Sequence, residues 1–500
     1  MTEIQALLQG FGDLLAPQVI LWCVIGVVVG TLIGALPGLG APTGIVLLFP
    51  ITFSLDTLSA LLLLMGIYQG AMYGGRISAI LINVPGDAPA AVTTFDGYPM
   101  TLKGKAGYAL SLSAIASFIG GMIGFIGLIF FTPYVGEWAL MFGAPEYFAL
   151  MLFSLIITGG IGTNNYIKGL ITVGFGLILA MIGSDPILGM ERLTFGSINL
   201  WDGIDFIVVA IGVFGISEAL VRIEEKSKGN IDFDEKIPFK ELFPTFKQVL
   251  SNGWSIVRGG LIGFFVGILP GAGATVSSFL SYSVEKKISK KPEEFGKGAD
   301  KGLSSPESAN NSAMGGALVP LFSLGIPGSS TTAILLGALI MMGLKPGPAM
   351  LQTSGDIIWA TIAGLLLSNI FLLIINTAFV PAFTILIQKA QPYLIPIISV
   401  LCFIGVYFLN NSFFDVGVMI VFGFFGYLLR KFGFSLATLI LAIVLGEMIE
   451  TNFRQALLMS QNNVSIFFTR PLALTLIILT VVTLIWPIIK KYLKIESKKA

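Results

Sequence analysis

The sequence predicts an all-α polytopic membrane protein with two inverted repeats of broken helices and a C-terminal span. Charged residues make up 11% of the 500 residues, whereas soluble proteins contain roughly 25%. Apolar stretches long enough to cross a bilayer recur along nearly the whole chain. Shorter apolar pieces next to Pro-Gly motifs occur in both halves, and the motifs follow the same order. These three observations together favour a membrane protein with an internal repeat.

Composition also excludes several kinds of site. The net charge of +1 argues against a nucleic-acid partner, because phosphate binding needs a clustered basic face. The chain has no histidine, and its two cysteines, Cys23 and Cys402, lie in apolar segments far apart in sequence. We therefore expect neither a metal site nor a disulfide scaffold.

The hydrophobic segments predict the order of the spans. They lie near 17–36, 57–73, 106–131, 139–160, 165–183, 203–221, 255–269, 310–326, 329–343, 357–379, 393–409, 413–429, 433–449 and 471–489. Three further apolar stretches, at 41–53, 77–84 and 274–284, are too short to cross a bilayer alone. They predict broken helices or re-entrant hairpins, which membranes tolerate where the backbone is buried in protein.

Three motifs recur in the same order in the two halves. Gly-Ala-Leu-Pro-Gly-Leu-Gly at 34–40 matches Gly-Ile-Leu-Pro-Gly-Ala-Gly at 267–273. The stretch from Ala71 to Gly86 then matches that from Ala313 to Gly328, and each ends in Pro-Gly. Finally, Asn164-Asn165 and Asn410-Asn411 each precede another apolar segment. One Pro-Gly is a weak turn signal, but three ordered matches indicate a repeat.

Loop charge predicts that the repeats are inverted. Residues 54–73 carry no Lys or Arg, whereas the equivalent interval of the second half contains a six-lysine loop at 285–301. Because basic loops stay cytoplasmic, equivalent loops face opposite sides. We divide the chain into a first repeat (1–221), a cytoplasmic linker (222–252), a second repeat (253–465) and a C-terminal span with a basic tail (466–500). The N-terminus is expected outside and the C-terminus inside.

The predicted substrate site lies where the four Pro-Gly loops meet. A break inside a hydrophobic segment leaves helix N-terminal N–H groups, which suit carboxylates, and C-terminal carbonyl groups, which suit cations. The expected binding residues are loop residues and nearby hydroxyl or amide side chains: Pro37, Gly38, Thr43, Asn83, Pro85, Gly86, Thr93, Thr94, Gly271, Ser277, Ser278, Asn310, Asn311, Pro327, Gly328, Ser329, Ser330 and Thr331. The alternative is that the Ser and Thr residues only cap helix starts.

Four charged residues near these loops are further candidates. Arg76 is the first basic residue of the chain and lies between Gly-rich stretches, where a guanidinium suits a carboxylate. Snorkelling to the membrane interface is the alternative. Asp87, Asp96 and Glu307 are candidates for binding a coupling cation or proton, or they could instead sit at helix N-termini.

At these residues the sequence resembles the large membrane subunit of the tripartite tricarboxylate transporter family, the TctA type. The matching stretches are 34–52, 73–103 with Pro85-Gly86-Asp87 and Asp96-Gly97-Tyr98-Pro99, and 267–348 with Lys291-Pro292-Glu293-Glu294-Phe295-Gly296, Pro306-Glu307-Ser308-Ala309-Asn310-Asn311 and Gly325-Ile326-Pro327-Gly328. The resemblance implies gradient-driven uptake of a carboxylate such as citrate, with Na+ or H+ as coupling ion and no other cofactor. It also implies a bacterial inner-membrane location, a small TctB-type membrane subunit and a TctC-type solute-binding protein.

Two other function classes compete with a secondary transporter. A channel usually shows rings of carbonyls or charges from a repeated subunit, whereas inverted repeats with broken helices favour alternating access. An intramembrane enzyme would need paired acids or a nucleophile with a base. The sequence shows neither an obvious acid pair nor a histidine, so we expect no enzyme.

Overall fold

The computed structural model describes residues 3–36, 38–161, 166–185, 189–226, 245–271, 273–379 and 393–496. Its helices are α1 (Glu3–Asp13), α2 (Pro17–Ala35), α3 (Ala41–Leu48), α4 (Thr57–Ile82), α5 (Thr93–Leu102), α6 (Ala106–Ala139), α7 (Ala144–Ile161), α8 (Tyr166–Ala180), α9 (Phe206–Ala210), α10 (Ser217–Lys226), α11 (Phe246–Ile268), α12 (Gly273–Ile288), α13 (Asp300–Leu324), α14 (Ser330–Met341), α15 (Pro348–Thr353), α16 (Gly355–Ala378), α17 (Leu394–Asn410), α18 (Phe413–Lys431), α19 (Leu436–Met459), α20 (Ile466–Thr469) and α21 (Pro471–Glu496). One short antiparallel hairpin pairs β1 (Gly183–Ser184) with β2 (Glu191–Arg192).

The predicted fold class is confirmed. Within the described residues, eight helical stretches are long and apolar enough to cross a membrane: Pro17–Ala35, Thr57–Ile82, Ala106–Ala139, Phe206–Glu224, Lys247–Ile268, Gly355–Thr377, Phe413–Lys431 and Leu436–Met459. The chain is therefore an all-α polytopic membrane protein. Three predicted features, Pro37, Asn164-Asn165 and most of the 222–252 linker, lie outside the described residues.

The first Pro-Gly break turns the chain into a hairpin. A methyl group built on Gly26 would lie 2.4 Å from the Leu63 carbonyl oxygen, and one on Gly34 would lie 2.1 Å from that of Ala71. Residues later in α2 thus contact residues later in α4, so the two helices run parallel. Since α4 follows α2, the intervening α3 must return the chain along α2. Gly44 of α3 accordingly faces Ile33.

The second half repeats this arrangement. Methyl groups on Gly259 and Gly267 of α11 would lie 2.2 Å and 2.5 Å from the carbonyl oxygens of Ser305 and Ala313. Helices α11 and α13 are therefore parallel, and α12 returns the chain between them. The expectation of short helices around the Pro-Gly motifs at 37–38 and 270–271 thus agrees with the structure.

The expected break near residues 73–77 is wrong. Helix α4 runs without interruption through Gly74, Gly75 and Arg76. The glycines serve helix packing instead, because a methyl group on Gly74 would lie 2.2 Å from the Thr31 carbonyl oxygen of α2. The stretch at 77–84 is consequently the last turn of a long helix rather than a separate short piece.

Helix α13 differs from the apolar segment expected at 310–326. It begins ten residues earlier, at Asp300, and is not among the apolar spans. Its N-terminal part is polar yet buried inside the protein, including Ser304, Ser308 and Asn310. Hydropathy underestimated this helix because other helices, and not lipid, surround it.

Candidate functional site

One cavity lies where the four Pro-Gly loops meet. It has a volume of about 820 Å³ and is lined by Gly38, Gly86, Gly271 and Gly328, one glycine from each loop. Further lining residues are Gly40, Ala41, Pro42, Thr43, Tyr68, Met72, Pro85, Asp87, Ala88, Pro89, Thr158, Phe214, Gly273, Ala274, Thr275, Val276, Ser329, Ser330, Thr331, Arg430, Gly433, Phe434, Ser435, Leu436, Ala437 and Thr438. The fold thus brings together loops that are more than two hundred residues apart in sequence.

The loops pair in the same way in both halves. The Gly38 amide donates a hydrogen bond to the Gly86 carbonyl oxygen at 3.1 Å, and the Gly271 amide donates to that of Gly328 at 2.8 Å. Gly38 and Gly271 also share a left-handed backbone, with φ of +83° and +79°, which favours glycine. The residues that match in sequence therefore occupy matching positions in the cavity wall.

The helices that precede the second loop of each pair also end alike. Asn83 terminates α4 with φ +60°, and Gly325 terminates α13 with φ +69°. Asn and Gly are the residues that adopt this conformation most readily. Both helices therefore stop two residues before a Pro-Gly pair; the end of α13 is buried, whereas Asn83 at the end of α4 is exposed.

Four helix N-termini reach the cavity. The first residues of α3, α12, α14 and α19, which are Ala41, Gly273, Ser330 and Leu436, all line it. Each N-terminus carries unpaired N–H groups and roughly half a positive charge from the helix dipole. Four such ends around one cavity favour an anion, and carboxylate groups fit the available N–H donors.

Hydroxyl groups of the cavity wall serve partly as helix caps. The Ser329 hydroxyl accepts a hydrogen bond from the Thr332 amide at 3.3 Å, and the Ser435 hydroxyl accepts one from the Thr438 amide at 3.2 Å. Capping thus explains these two serines. Because a hydroxyl oxygen has two lone pairs and one proton, capping leaves the same group able to contact a ligand.

Two charged side chains line the cavity. Asp87 follows the second Pro-Gly loop, and its Oδ1 accepts a hydrogen bond from the Ala90 amide at 3.1 Å. Arg430 lies at the end of α18 and pairs with Glu218 of α10. The wall therefore offers one carboxylate for a cation or proton and one guanidinium for an anion.

Comparison with known proteins identifies the family. The sequence profile described as "Tripartite tricarboxylate transporter TctA family" matches residues 20–441. The chain belongs to this family. It is 39% identical over 477 residues, 95% of this chain and 94% of the relative, to an "Uncharacterized 52.8 kDa protein in TAR-I ttuC' 3'region" of Agrobacterium vitis. A second relative from the same organism, "Uncharacterized protein in TAR-II ttuC' 3'region", is 39% identical over 45% of this chain and 92% of its own length. No solved structure matches.

Arg76 of this TctA-family protein lies neither at the cavity wall nor at the surface. Its side chain is fully buried. Nη1 donates to the Leu110 carbonyl oxygen and to the Ser113 hydroxyl at 2.6 Å, and Nη2 donates to Asn376 Oδ1 at 3.2 Å. The two interpretations from the sequence placed this guanidinium either against the substrate or at the membrane interface. The structure instead uses it to join α4, α6 and α16.

The three acidic candidates lie in different environments. Asp87 lines the cavity. Glu307 is buried on α13, where it accepts hydrogen bonds from the hydroxyls of Thr93 and of Ser117, the latter at 3.1 Å. Asp96 Oδ1 accepts three backbone N–H groups, from Gly296, Gly298 and Ala299, at 2.9, 2.8 and 2.7 Å. Asp96 therefore fixes the end of the lysine-rich loop, and among the three candidates Asp87 alone reaches the cavity.

Eight of the remaining candidates do not line the cavity. They are Asn83, Thr93, Thr94, Ser277, Ser278, Asn310, Asn311 and Pro327. Four of them donate hydrogen bonds to backbone carbonyl oxygens: Thr94 to Ala91, Ser277 to Gly273, Ser278 to Pro306 and Asn311 to Glu307. Both side-chain atoms of Asn310 are buried without a hydrogen-bond partner among the described residues.

The sequence interpretation missed the contribution of the corner between α18 and α19. Arg430, Gly433, Phe434, Ser435 and Thr438 all line the cavity. This corner carries no Pro-Gly motif, so the repeat search did not reach it. The Ser435-to-Thr438 spacing is a helix N-cap signal, and it was the available clue to another N-terminus.

Proposed function

We propose that this TctA-family protein is the large membrane subunit of a secondary-active importer of carboxylates such as citrate. An Na+ or H+ gradient drives the transport, and the site is the cavity at the four Pro-Gly loops. The observation that carries the proposal is the convergence of four helix N-termini on one cavity. That arrangement favours a multiply charged anion over a neutral or cationic solute.

Asp87 is the proposed coupling group. It is the carboxylate of the cavity wall, so a bound Na+ or proton there would offset part of its repulsion of an anionic substrate. The coupling ion and the substrate would then bind best together, which is the requirement for symport. Glu307 is buried on α13 and does not line the cavity. It is the proposed group for a second coupling ion or proton.

Alternating access is the proposed mechanism, and the cavity wall is asymmetric in the way it requires. The corner between α18 and α19 supplies lining residues 430 and 433–438. The matching corner of the first half, between α8 and α9, supplies none among its described residues. Because Lys168 and Lys431 lie beside the contributing corner, we assign this conformation to the cytoplasmic-facing state.

Membership of a tripartite family supports two partners. We propose a small TctB-type membrane subunit and an extracytoplasmic TctC-type binding protein that delivers the carboxylate. A bacterial inner membrane is the corresponding location, because the delivery protein requires a periplasmic side.

Uptake of labelled citrate into proteoliposomes containing the full complex tests this function. We expect accumulation with an inward Na+ or H+ gradient and none when the gradients are collapsed. Uptake that only equilibrates citrate, whatever the gradient, would indicate a channel.

Asp87→Asn tests the coupling role within the same assay. We expect this variant to bind citrate but to lose gradient-driven accumulation, since the amide cannot be protonated and attracts a cation weakly. Asp56→Asn is the matched control, because Asp56 caps α4 through the Ser59 amide at 3.0 Å and Asn caps equally well. If Asp87→Asn accumulates citrate normally, Asp87 has no role in ion coupling.

A further inference from the structure

A cluster of two arginines around one glutamate lies at the edge of the cavity. Glu218 of α10 is buried, with 4% of its side chain exposed. Its Oε1 accepts a hydrogen bond from Arg222 Nε at 3.0 Å, one helical turn away. Its Oε2 accepts one from Arg430 Nη1 of α18. Glu218 is thus shared by two arginines, and Arg430 is the one that comes from the second half of the chain.

Arg430 is the member of this cluster that faces the cavity. Its side chain is 35% exposed and lines the wall. Nη1 makes its hydrogen bond to Glu218, and Nε and Nη2 have no hydrogen-bond partner among the described residues. A guanidinium has five N–H donors in a planar fork that matches a carboxylate. Nε and Nη2 are therefore available for a first contact with a substrate carboxylate while Nη1 is still held by Glu218.

Glu218 also contacts the first Pro-Gly loop. A methyl group on Gly38 would lie 3.0 Å from Glu218 Oε1, so the absence of a side chain at Gly38 admits the glutamate. The Arg430–Glu218 pair consequently joins the corner between α18 and α19 to the first Pro-Gly loop. A change at this pair would alter the contact between the two halves of the chain.

We propose that Arg430 binds a carboxylate group of the substrate and that its ion pair with Glu218 competes with this binding. The proposal rests on the proposed carboxylate transport and adds a specific residue to it. When substrate binds, Arg430 exchanges Glu218 for the substrate carboxylate, and Arg222 continues to neutralise Glu218. The exchange does not leave a buried charge alone, because Arg430 is partly exposed and Arg222 stays paired with Glu218. The exchange would also release the α18–α19 corner from the Gly38 loop.

Citrate binding to the purified full-length protein in detergent, measured by calorimetry, tests the proposal. We expect Arg430→Gln to weaken binding about tenfold or more, the usual loss for a hydrogen bond between charged groups. Arg430→Lys keeps the positive charge but lacks the planar fork of donors. Its citrate affinity is therefore expected to lie between that of Arg430→Gln and that of the wild type. Glu218→Gln removes the competitor, so its affinity should rise by up to about fivefold.

The opposite signs at Arg430 and Glu218 separate a binding role from a structural one. The pair Arg470–Glu146 is a matched control, with exposures of 40% and 4% and a distance of 3.2 Å, and it lies outside the cavity wall. Arg470→Gln and Glu146→Gln should leave citrate affinity unchanged. Unfolding temperature is measured for all variants, and Arg430→Lys provides the comparison if the glutamine variant does not fold.

Two results would overturn the proposal. One is an Arg430→Gln affinity within twofold of the wild type, and the other is a Glu218→Gln variant that loses affinity as the arginine variants do. Failure of the wild type to bind citrate or succinate is a different outcome. It would contradict carboxylate transport itself, and the Arg430 proposal with it.

Discussion

Arg76 and Arg430 show how the surroundings of a residue decide its role. Both are cations close to Pro-Gly loops, but Arg76 is fully buried and donates to Leu110, Ser113 and Asn376, whereas Arg430 faces a cavity. Sequence position favoured Arg76, since it is the first basic residue of the chain and lies between Gly-rich stretches. Position along the chain does not show which side of a helix a residue faces or what packs against it.

Arg76→Lys is expected to destabilise the protein. A lysine keeps the charge but cannot reach Ser113 and Asn376 together, so at least one buried group loses its partner at a cost of about 1–3 kcal/mol. We expect a lower unfolding temperature in detergent, with citrate affinity of the folded protein reduced less than in Arg430→Gln. If the variant has normal stability but no longer binds citrate, Arg76 contributes to substrate binding after all.

At the scale of elements, glycine stripes set the spacing of the hairpin helices. Gly26, Gly30 and Gly34 of α2 face the backbone of α4, and glycines at 66, 70 and 74 of α4 face α2 in return. Small residues at four-residue intervals allow this close approach in membranes. The same spacing was visible in the sequence and could have identified α4 as one continuous helix, because breaks do not recur every four residues.

Gly86 and Gly328 occupy matching loops but are expected to respond differently to alanine. A methyl group at Gly86 would lie 1.9 Å from the Gly34 carbonyl oxygen, whereas the nearest atom to one at Gly328 is 3.7 Å away. Gly86→Ala should therefore lower the unfolding temperature, and Gly328→Ala should fold normally and weaken citrate binding. Gly174 and Gly417 are the controls, since a methyl group there meets no atom within 4 Å. If alanine reduces citrate affinity equally at all four positions, the loop glycines do not form part of the binding site.

At the scale of the whole molecule, several lysines lie at the helix ends that are expected to face the cytoplasm. Lys103 Nζ donates to the Lys297 carbonyl oxygen of the lysine-rich loop, and Lys431 pairs with Glu224 at the start of the linker. The start of α21 lies at the other end, where Arg470 pairs with Glu146. Helix α21 therefore runs toward the side of these lysines, as an inside C-terminus requires.

Cysteine labelling tests this orientation. The two native cysteines, Cys23 and Cys402, are buried and unpaired, so they interfere little with labelling of exposed sites. In intact cells, an impermeant maleimide should label Asn463→Cys from outside, whereas Lys290→Cys should react only after the membrane is opened. Labelling of both positions from the same side would contradict the proposed topology and the inverted repeats derived from it.

The sequence predicted the fold class and the four breaks because both depend on local signals. Hydropathy locates spans, and a Pro-Gly pair stops a helix wherever it occurs. The other parts of the site depend on contacts between distant segments. Helix α13 was underestimated because its polar residues are buried by protein, and Arg430 was missed because only the packing of α18 against α10 brings it to the cavity wall.

The most direct test of the central claim is a cryo-electron microscopy structure of the purified protein with citrate. The account predicts citrate density in the cavity between Gly38, Gly86, Gly271 and Gly328, with carboxylate groups at the N-termini of the surrounding helices and at Arg430. A specimen without citrate should lack this density. Citrate found elsewhere, for example in the buried region around Arg76, would contradict the account.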